Sequence, residues 1–197
     1  KKCKKILDDG KVDDKEIDDL EMHEARRKSL AFTFGRFNPP TIGHEKLINK
    51  VASVRADDYR IYLSRSEDPK KNPLSPRDKL SVMKSMFPRH ARKIMINPTN
   101  MILDICTELY NQGFTKINMV VGSDRVREFD TIIKKYNGVK SRHGLYDFDD
   151  IKIVSAGERD PDAEGATGMS ASKMRAAAEK GDLDSFKKGL PRNADAE

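Results

Sequence analysis

The sequence predicts an α/β fold, a Rossmann-like five-stranded parallel sheet with helices on both faces. Two observations support this prediction: short apolar runs alternate with segments of helical periodicity from residue 29 onward, and five such runs occur. Strands separated by helices favour crossover connections, which make the strands parallel and bury both faces of the sheet. A chain of 197 residues is long enough for one such domain with its own core.

In the first half of the chain, residues 29–34 and 59–63 are apolar runs of strand length. Residues 42–54 between them are predicted to form a helix, because apolar positions recur there at intervals of three and four: Leu47, Val51 and Val54. A second helix is predicted over residues 75–87, and Pro88 ends it.

The second half of the chain continues the same alternation. Short apolar runs predict strands at residues 93–96, 116–121 and 151–155. Helical periodicity predicts helices at residues 101–110, 129–136, 170–180 and 183–187. Gly181 separates the last two helices, because an isolated glycine weakens a helix and favours a turn.

The predicted domain covers residues 29–190, with a charged helical arm at residues 1–28 and a short tail at residues 191–197. The first 30 residues hold nine Lys or Arg and nine Asp or Glu, so the net charge of +6 belongs to the rest of the chain. A positive excess in the globular part suits a polyanionic ligand, either a nucleoside triphosphate or a nucleic acid. Charge alone does not choose between them.

Composition also excludes several classes of protein. No apolar run approaches the roughly 18 to 20 residues of a membrane helix, and the N-terminus is charged where a signal peptide is apolar. We therefore expect a cytoplasmic protein without a membrane partner. Cys3 and Cys106, read as reduced thiols, are too few for a disulfide scaffold or a Cys-rich zinc site. The histidines outside the motifs below, His23, His90 and His143, lack the spacing of zinc ligands.

The first candidate motif, residues 34–44, reads Phe-Gly-Arg-Phe-Asn-Pro-Pro-Thr-Ile-Gly-His and joins the first predicted strand to the first helix. Gly35 permits close approach of the backbone, and the proline pair stiffens the loop. Gly43 and His44 fall in the first turn of the helix, where free N–H groups and the helix dipole favour an anion. A loop of this kind can also simply turn the chain, with His44 as an ordinary surface histidine.

The second candidate motif is residues 167–175, Thr-Gly-Met-Ser-Ala-Ser-Lys-Met-Arg, at the start of the fifth predicted helix. Ser170 and Ser172 open that helix, and Lys173 and Arg175 lie in its first turn. N–H groups, hydroxyls and two cations could therefore converge on phosphates. Considered alone, the segment is more typical of an N-capped surface helix.

Two weaker motifs lie between these. Gly122 and Asp124 follow the fourth predicted strand, where Asp124 could accept a hydrogen bond from a sugar hydroxyl or could cap a helix. Lys70 and Lys71 precede an Asn-Pro-Leu element after the second strand. They are interpreted either as phosphate-binding cations or as a solvated charge run.

Residues 31–190 resemble the HxGH-motif nucleotidylyltransferase superfamily, whose domain is cytidylyltransferase-like. In that family a Gly-x-Phe-x-Pro loop precedes a Thr/His-x-Gly-His quartet that binds the α- and β-phosphates of a nucleoside triphosphate. Here the quartet is residues 41–44, with threonine in the first position. A late Ile-Ser-Ser-Thr-x-x-Arg motif binds the β- and γ-phosphates, and residues 169–175 are similar to it, with Ser172 and Arg175 in the Thr and Arg positions.

The resemblance implies a set of site residues. The implied catalytic residues are His44, Thr41 and Arg175. The implied nucleotide or phosphate ligands are Gly35, Arg36, Phe37, Asn38, Gly43, Lys70, Lys71, Gly122, Asp124, Ser170, Ser172 and Lys173. No protein metal site is implied, because Mg²⁺ would bind through the oxygens of the triphosphate.

The resemblance also implies an activity, the transfer of a nucleoside monophosphate from a nucleoside triphosphate to a phosphate-bearing acceptor, with release of pyrophosphate. The Gly-Arg-Phe-x-Pro sequence is closest to nicotinamide-nucleotide adenylyltransferases of NAD biosynthesis, so ATP and nicotinamide mononucleotide are the expected substrates. The Thr-x-Gly-His quartet also occurs in phosphopantetheine adenylyltransferases. Nucleic acid is not an expected partner.

Three alternatives remain open from the sequence. The first is a cytidylyltransferase acting on a phosphorylated alcohol. The second is a class I aminoacyl-tRNA synthetase, which uses similar motifs but needs an anticodon domain for which this length leaves no room. The third is a non-catalytic nucleotide-binding or assembly protein of the same fold, either a homo-oligomer or one whose charged arm docks on a protein partner.

Overall fold

The computed structural model of the chain describes residues 28–97, 99–157 and 170–190, and the structural statements below refer to these residues. The predicted arm, except for Lys28, lies outside the described residues, as do the tail and the first three residues of the late motif.

One sheet of five parallel strands organises the described residues. The strands are β1 (Lys28–Gly35), β2 (Asp58–Leu63), β3 (Ile94–Ile96), β4 (Phe114–Val121) and β5 (Asp150–Ser155). Their order across the sheet is β3-β2-β1-β4-β5, so the chain moves outward from β1 in one direction and then from β4 in the other. The strand order reverses between β1 and β4, and in sheets of this type ligands bind beyond the carboxyl ends of the strands at that point.

Six helices connect and flank the strands. They are α1 (Ile42–Ser53), α2 (Pro76–Met86), α3 (Ile102–Asn111), α4 (Val126–Lys135), α5 (Ala171–Glu179) and α6 (Leu183–Lys188). Two short 3₁₀ segments, Pro88–Lys93 and Ser123–Arg125, were not predicted. The largest difference in a predicted boundary is at α4, which begins at Val126 instead of Phe129.

The core lies on both faces of the sheet, because side chains of successive strand residues point to opposite faces. On one face, Leu30 and Phe32 of β1 pack with buried residues of α3 and α4. On the other, Ile61 and Leu63 of β2 pack with buried residues of α1 and α2. The predicted α/β fold with helices on both faces is therefore confirmed.

Two details of the core bear on the sequence predictions. Cys106 is a free, buried thiol, and burial raises its pKa to about 12. Met101 begins the helix predicted at residues 101–110, and its apolar side chain there predicts a core position. In the structure it is the N-cap residue of α3 and is 43% exposed. No helix among the described residues is long and apolar enough to cross a membrane.

Candidate functional site

A cleft of about 540 Å³ lies beyond the carboxyl ends of β1 and β4, where the strand order reverses. Its walls come from the loops after β1, β2 and β4 and from the start of α5. Most of the predicted site residues line it: Gly35, Arg36, Phe37, Asn38, His44, Lys71, Gly122, Asp124, Ser170, Ser172 and Arg175. The others, Thr41, Gly43, Lys70 and Lys173, are not among its lining residues.

The loop after β1 is built around the ring of Phe37. Phe37 has a left-handed backbone conformation (φ 47°) and is 1% exposed, with its ring in the core cluster of α1 and α2. A Cβ atom on Gly35 would lie 2.8 Å from Phe37 Cε2, so the ring occupies the space that a side chain at position 35 would need. The same ring lies against the imidazole of His44, with centroids 4.7 Å apart. Gly35, Phe37 and His44 therefore pack as one unit.

His44 is oriented by the residue that begins its own helix. The Thr41 backbone N–H donates to His44 Nδ1 at 2.9 Å, and Thr41 Oγ1 lies 3.0 Å from the same nitrogen. Because Nδ1 accepts an N–H, the neutral imidazole carries its proton on Nε2. Thr41 is 4% exposed, so its contribution is to hold His44.

Asn38 and Arg175 join the two motifs, which are 137 residues apart in sequence. Both polar atoms of the Asn38 side chain bond to the backbone of Leu74: Nδ2 donates to the carbonyl and Oδ1 accepts from the N–H, both at 3.2 Å. The Asn38 carbonyl accepts from the Arg175 guanidinium at 2.7 Å. Another guanidinium nitrogen donates to Ser172 Oγ at 3.0 Å. The loop before α1 and the first turn of α5 thus form adjacent walls.

The start of α5 lines the cleft as the sequence predicted. Ser170 caps the helix, with its hydroxyl accepting from the Lys173 N–H at 3.2 Å. Ser172 is exposed on the first turn, whereas the side chain of Lys173 is exposed outside the cleft. A helix N-terminus with hydroxyls and a guanidinium favours an anion through unpaired N–H groups and the helix dipole.

The turn after β4 places a carboxylate at the cleft. A Cβ atom on Gly122 would lie 2.6 Å from Asp124 Oδ1, so the absence of a side chain at position 122 lets Asp124 fold back over the turn. Arg125, which was not predicted as a site residue, also lines the cleft. Its guanidinium pairs with Glu128 at 2.8 Å and lies over the Phe129 ring.

The two lysines of the loop after β2 lie in different places. Both are exposed, but Lys71 lines the cleft and Lys70 does not. Their backbone N–H groups donate to Asp68 Oδ1, at 2.6 Å from Lys71 and 3.0 Å from Lys70. These hydrogen bonds hold the pKa of Asp68 below its usual value. They also give the loop a defined turn.

Sequence reasoning missed several polar lining residues: Ser64, Ser66, Asn72, Asn100 and Arg125. Ser64 and Ser66 follow the carboxyl end of β2, and their hydroxyls lie 2.8 Å apart. Asn100 accepts from the Arg65 N–H at 2.9 Å. A signal was available for the two serines, because residues after a parallel strand face the ligand-binding edge of the sheet. Asn100 had no such signal.

The charges around the cleft favour a polyanion. Arg36, Lys71, Arg125 and Arg175 are its described cations, and Asp124 is the one described carboxylate among the lining residues. The described part of the chain contains no group of three His, Cys, Asp or Glu that could hold a metal ion. Asp124, as a single carboxylate beside four cations, fits a magnesium ion that would be held mainly by phosphate oxygens and water.

Comparisons with known proteins give a family and a solved structure that are similar to this chain. A family model described as cytidylyltransferase-like matches residues 32–177. A solved structure from Vibrio parahaemolyticus, provisionally designated a nicotinate-nucleotide adenylyltransferase, is 14% identical with a TM-score of 0.46. That match covers 78% of this chain and 88% of the Vibrio chain. No curated protein matches the sequence.

Proposed function

The chain belongs to the cytidylyltransferase-like family, and from that premise we propose that it transfers a nucleoside monophosphate from a nucleoside triphosphate to a phosphate-bearing acceptor. We further propose ATP as the donor and nicotinamide mononucleotide as the acceptor. The observation that carries the proposal is the contact between the two motifs, in which the Arg175 guanidinium donates to the Asn38 carbonyl at 2.7 Å. That contact lies where His44, from the first turn of α1, and the N-terminus of α5 line one cleft.

The proposed reaction is an in-line displacement at the α-phosphorus. An oxygen of the acceptor phosphate forms the new P–O bond, and the bond to the β-phosphate oxygen breaks to release pyrophosphate. A phosphomonoester has a second pKa near 6 and is already anionic at neutral pH, so the nucleophile needs no general base. The protein's task is to position the two phosphates and to stabilise the developing charge.

Each side chain then has a proposed task. The Nε2–H of neutral His44 would donate to a non-bridging oxygen of the transferred phosphate, since Nδ1 is occupied by Thr41. Arg175, with the N–H groups and hydroxyls at the start of α5, would stabilise the leaving pyrophosphate. Magnesium carried by the triphosphate supplies further neutralisation of the phosphate charge. Asp124 would be its protein contact, directly or through water.

A matrix of substrates tests the proposal. ATP and CTP are each combined with nicotinamide mononucleotide, nicotinate mononucleotide, phosphopantetheine and a phosphorylated alcohol, with Mg²⁺, and pyrophosphate release is measured. We expect release with ATP and nicotinamide mononucleotide that disappears in His44→Ala. Release with CTP alone would replace the adenylyl assignment with cytidylyl transfer. A folded wild-type chain that releases no pyrophosphate with any pair of substrates would favour a non-catalytic binding or assembly protein.

A further inference from the structure

A buried lysine that belongs to neither motif supports the wall of the cleft. Lys79, on α2, is 0% exposed and lies beneath the loop that joins β2 to α2. Its Nζ donates to the carbonyl oxygen of Ser64 at 2.9 Å and to that of Ser66 at 3.2 Å. An ammonium group is costly to bury unless it is hydrogen-bonded, so these two carbonyls are the partners that make its position tolerable.

The loop above Lys79 presents several side chains to the cleft. We define it as residues 64–72, of which Ser64, Ser66, Lys71 and Asn72 line the cleft. An antiparallel bridge closes its far end, where the backbone N–H groups of residues 68 and 72 donate to each other's carbonyls at 3.0 and 2.8 Å. Lys79 holds the near end, so the loop keeps its place only when both ends are held.

The surroundings of Lys79 also shift its pKa. Burial has the largest effect on the pKa of Lys79 and lowers it, Glu67 on the loop raises it, and Arg36 lowers it. An apolar side chain of the same length would fill the space without the cost of burying a charge. Such a side chain would leave the Ser64 and Ser66 carbonyls without their donor.

We propose that Lys79 is a positioning residue for the triphosphate, whose buried ammonium holds loop 64–72 so that Lys71 stays at the cleft. The inference rests on the proposed function for the role of Lys71, but the positioning itself does not require catalysis. The two parts can therefore be tested separately.

Amide hydrogen exchange tests the positioning without any substrate. The full-length protein is compared with Lys79→Gln, and with Lys84→Gln as the matched control, since Lys84 is exposed on the same helix. In Lys79→Gln we expect amides of residues 64–72 to exchange at least about tenfold faster, with β1 and β4 unchanged. Unchanged exchange in the loop, or equally faster exchange throughout the sheet, would overturn the proposal.

Lys79→Arg, which keeps a cation and several donors, provides the rescue. We expect its loop exchange to fall within about threefold of wild type. If Lys79→Gln does not fold, loop exchange in Lys79→Arg close to wild type still supports positioning by a cation. If neither variant folds, Lys79 is a core residue and the proposal is wrong.

A double-mutant cycle tests the path through Lys71. With ATP as the varied substrate, we expect Lys71→Met and Lys79→Gln each to raise KM about tenfold, with a smaller change in kcat. In the Lys71→Met background, Lys79→Gln should change KM less than twofold, because the residue it positions is gone. Independent, multiplying effects would overturn this path. A wild-type chain without activity would instead contradict the proposed function and leave the exchange result standing.

Discussion

At the residue scale, the His44 side chain is held on two sides. Its Nδ1 accepts the Thr41 N–H, and its ring packs on Phe37. The backbone therefore sets the tautomer, and the threonine hydroxyl adds a second contact at 3.0 Å. A threonine in the first position of the quartet is thus compatible with a single, oriented imidazole.

Because of this arrangement, we expect substitutions of His44 and of Thr41 to reduce activity to different extents. His44→Ala removes one donor to the transferred phosphate, which typically lowers the rate about a hundredfold to a thousandfold. Thr41→Val keeps the backbone N–H that holds Nδ1, so we expect a loss within about tenfold. Pyrophosphate release under saturating substrates measures both, with circular dichroism as the control for folding. Equal losses in the two variants would show that the hydroxyl, and not the backbone, orients His44.

Lys79 makes stability depend on pH in an unusual direction. Burial lowers the pKa of Lys79 below the 10.5 of an unfolded lysine. At a pH between the pKa of Lys79 in the folded protein and that in the unfolded chain, the unfolded chain binds more protons. The free energy of unfolding therefore rises with pH across that interval. We expect wild type to gain stability relative to Lys79→Gln as pH is raised towards 10.5, measured by urea denaturation at fixed ionic strength. A difference that stays constant with pH would mean that Lys79 titrates normally.

The sequence predicted residues that gather at the cleft, but not the contacts that their side chains make within the protein. Phe37 and Asn38, both expected to contact the nucleotide, line the cleft with side chains that are almost fully buried. The Phe37 ring fills the space above Gly35, and both polar ends of the Asn38 side chain bond to Leu74. The contact between Asn38 and Leu74 joins two loops that are 36 residues apart in sequence, so no local sequence pattern predicts it.

At the element scale, the alternation of apolar runs and helical periodicity predicted every strand and helix that the structure describes. The two 3₁₀ segments escaped prediction because three to six residues contain too little periodicity. Lys79 escaped for a different reason: a lysine is normally solvated, whatever face of a helix it occupies. Here Lys79 lies on the buried face of α2, one turn before Met83, and the loop after β2 supplies the carbonyls that its ammonium needs.

The loop after β1 depends on a missing side chain. In Gly35→Ala the new Cβ atom would lie 2.8 Å from Phe37 Cε2, so the ring, which packs in the core cluster of α1 and α2, or the loop itself would have to shift. We expect a loss of about 1 to 3 kcal/mol in the free energy of unfolding, typical of overpacking, together with reduced activity because His44 rests on the same ring. Denaturant titration and pyrophosphate release provide the two measurements.

Gly43→Ala is the matched control for stability, since its Cβ atom would meet Thr41 Oγ1 at an ordinary 3.5 Å. Alanine also favours a helix over glycine by about 1 kcal/mol, so Gly43→Ala should not destabilise the protein. Phe37→Leu in the Gly35→Ala background should restore part of the lost stability. Equal stability of Gly35→Ala and wild type would show that the loop adjusts freely.

At the scale of the whole molecule, the reversal of strand order explains how distant motifs meet. The first motif follows β1 and the Gly122–Asp124 turn follows β4, which is its neighbour in the sheet. The late motif reaches the same edge after β5, so the parallel sheet brings all three to one cleft. This convergence was predictable from the βαβ pattern, whereas the cleft's volume and its wall contacts were not.

The same topology defines where the N-terminal arm can be removed. β1 begins at Lys28, which pairs with Phe114, so we expect a chain that starts at Lys28 to fold and to keep ATP-dependent thermal stabilisation. The segment before it contributes no residue to the predicted site. The measurements are the thermal midpoint and its shift with ATP and Mg²⁺, since a ligand that binds the native state raises the midpoint.

A shorter chain that starts at Leu30 serves as the comparison for the chain that starts at Lys28. It removes Ser29, whose backbone N–H and hydroxyl both donate to Asp57 at 2.7 Å and tie the start of β1 to the turn before β2. These bonds also hold the pKa of Asp57 below its usual value. We therefore expect the chain from Leu30 to have the lower thermal midpoint of the two. If the chain from Lys28 is equally destabilised, or loses its response to ATP, residues before the sheet belong to the domain and the predicted boundary is wrong.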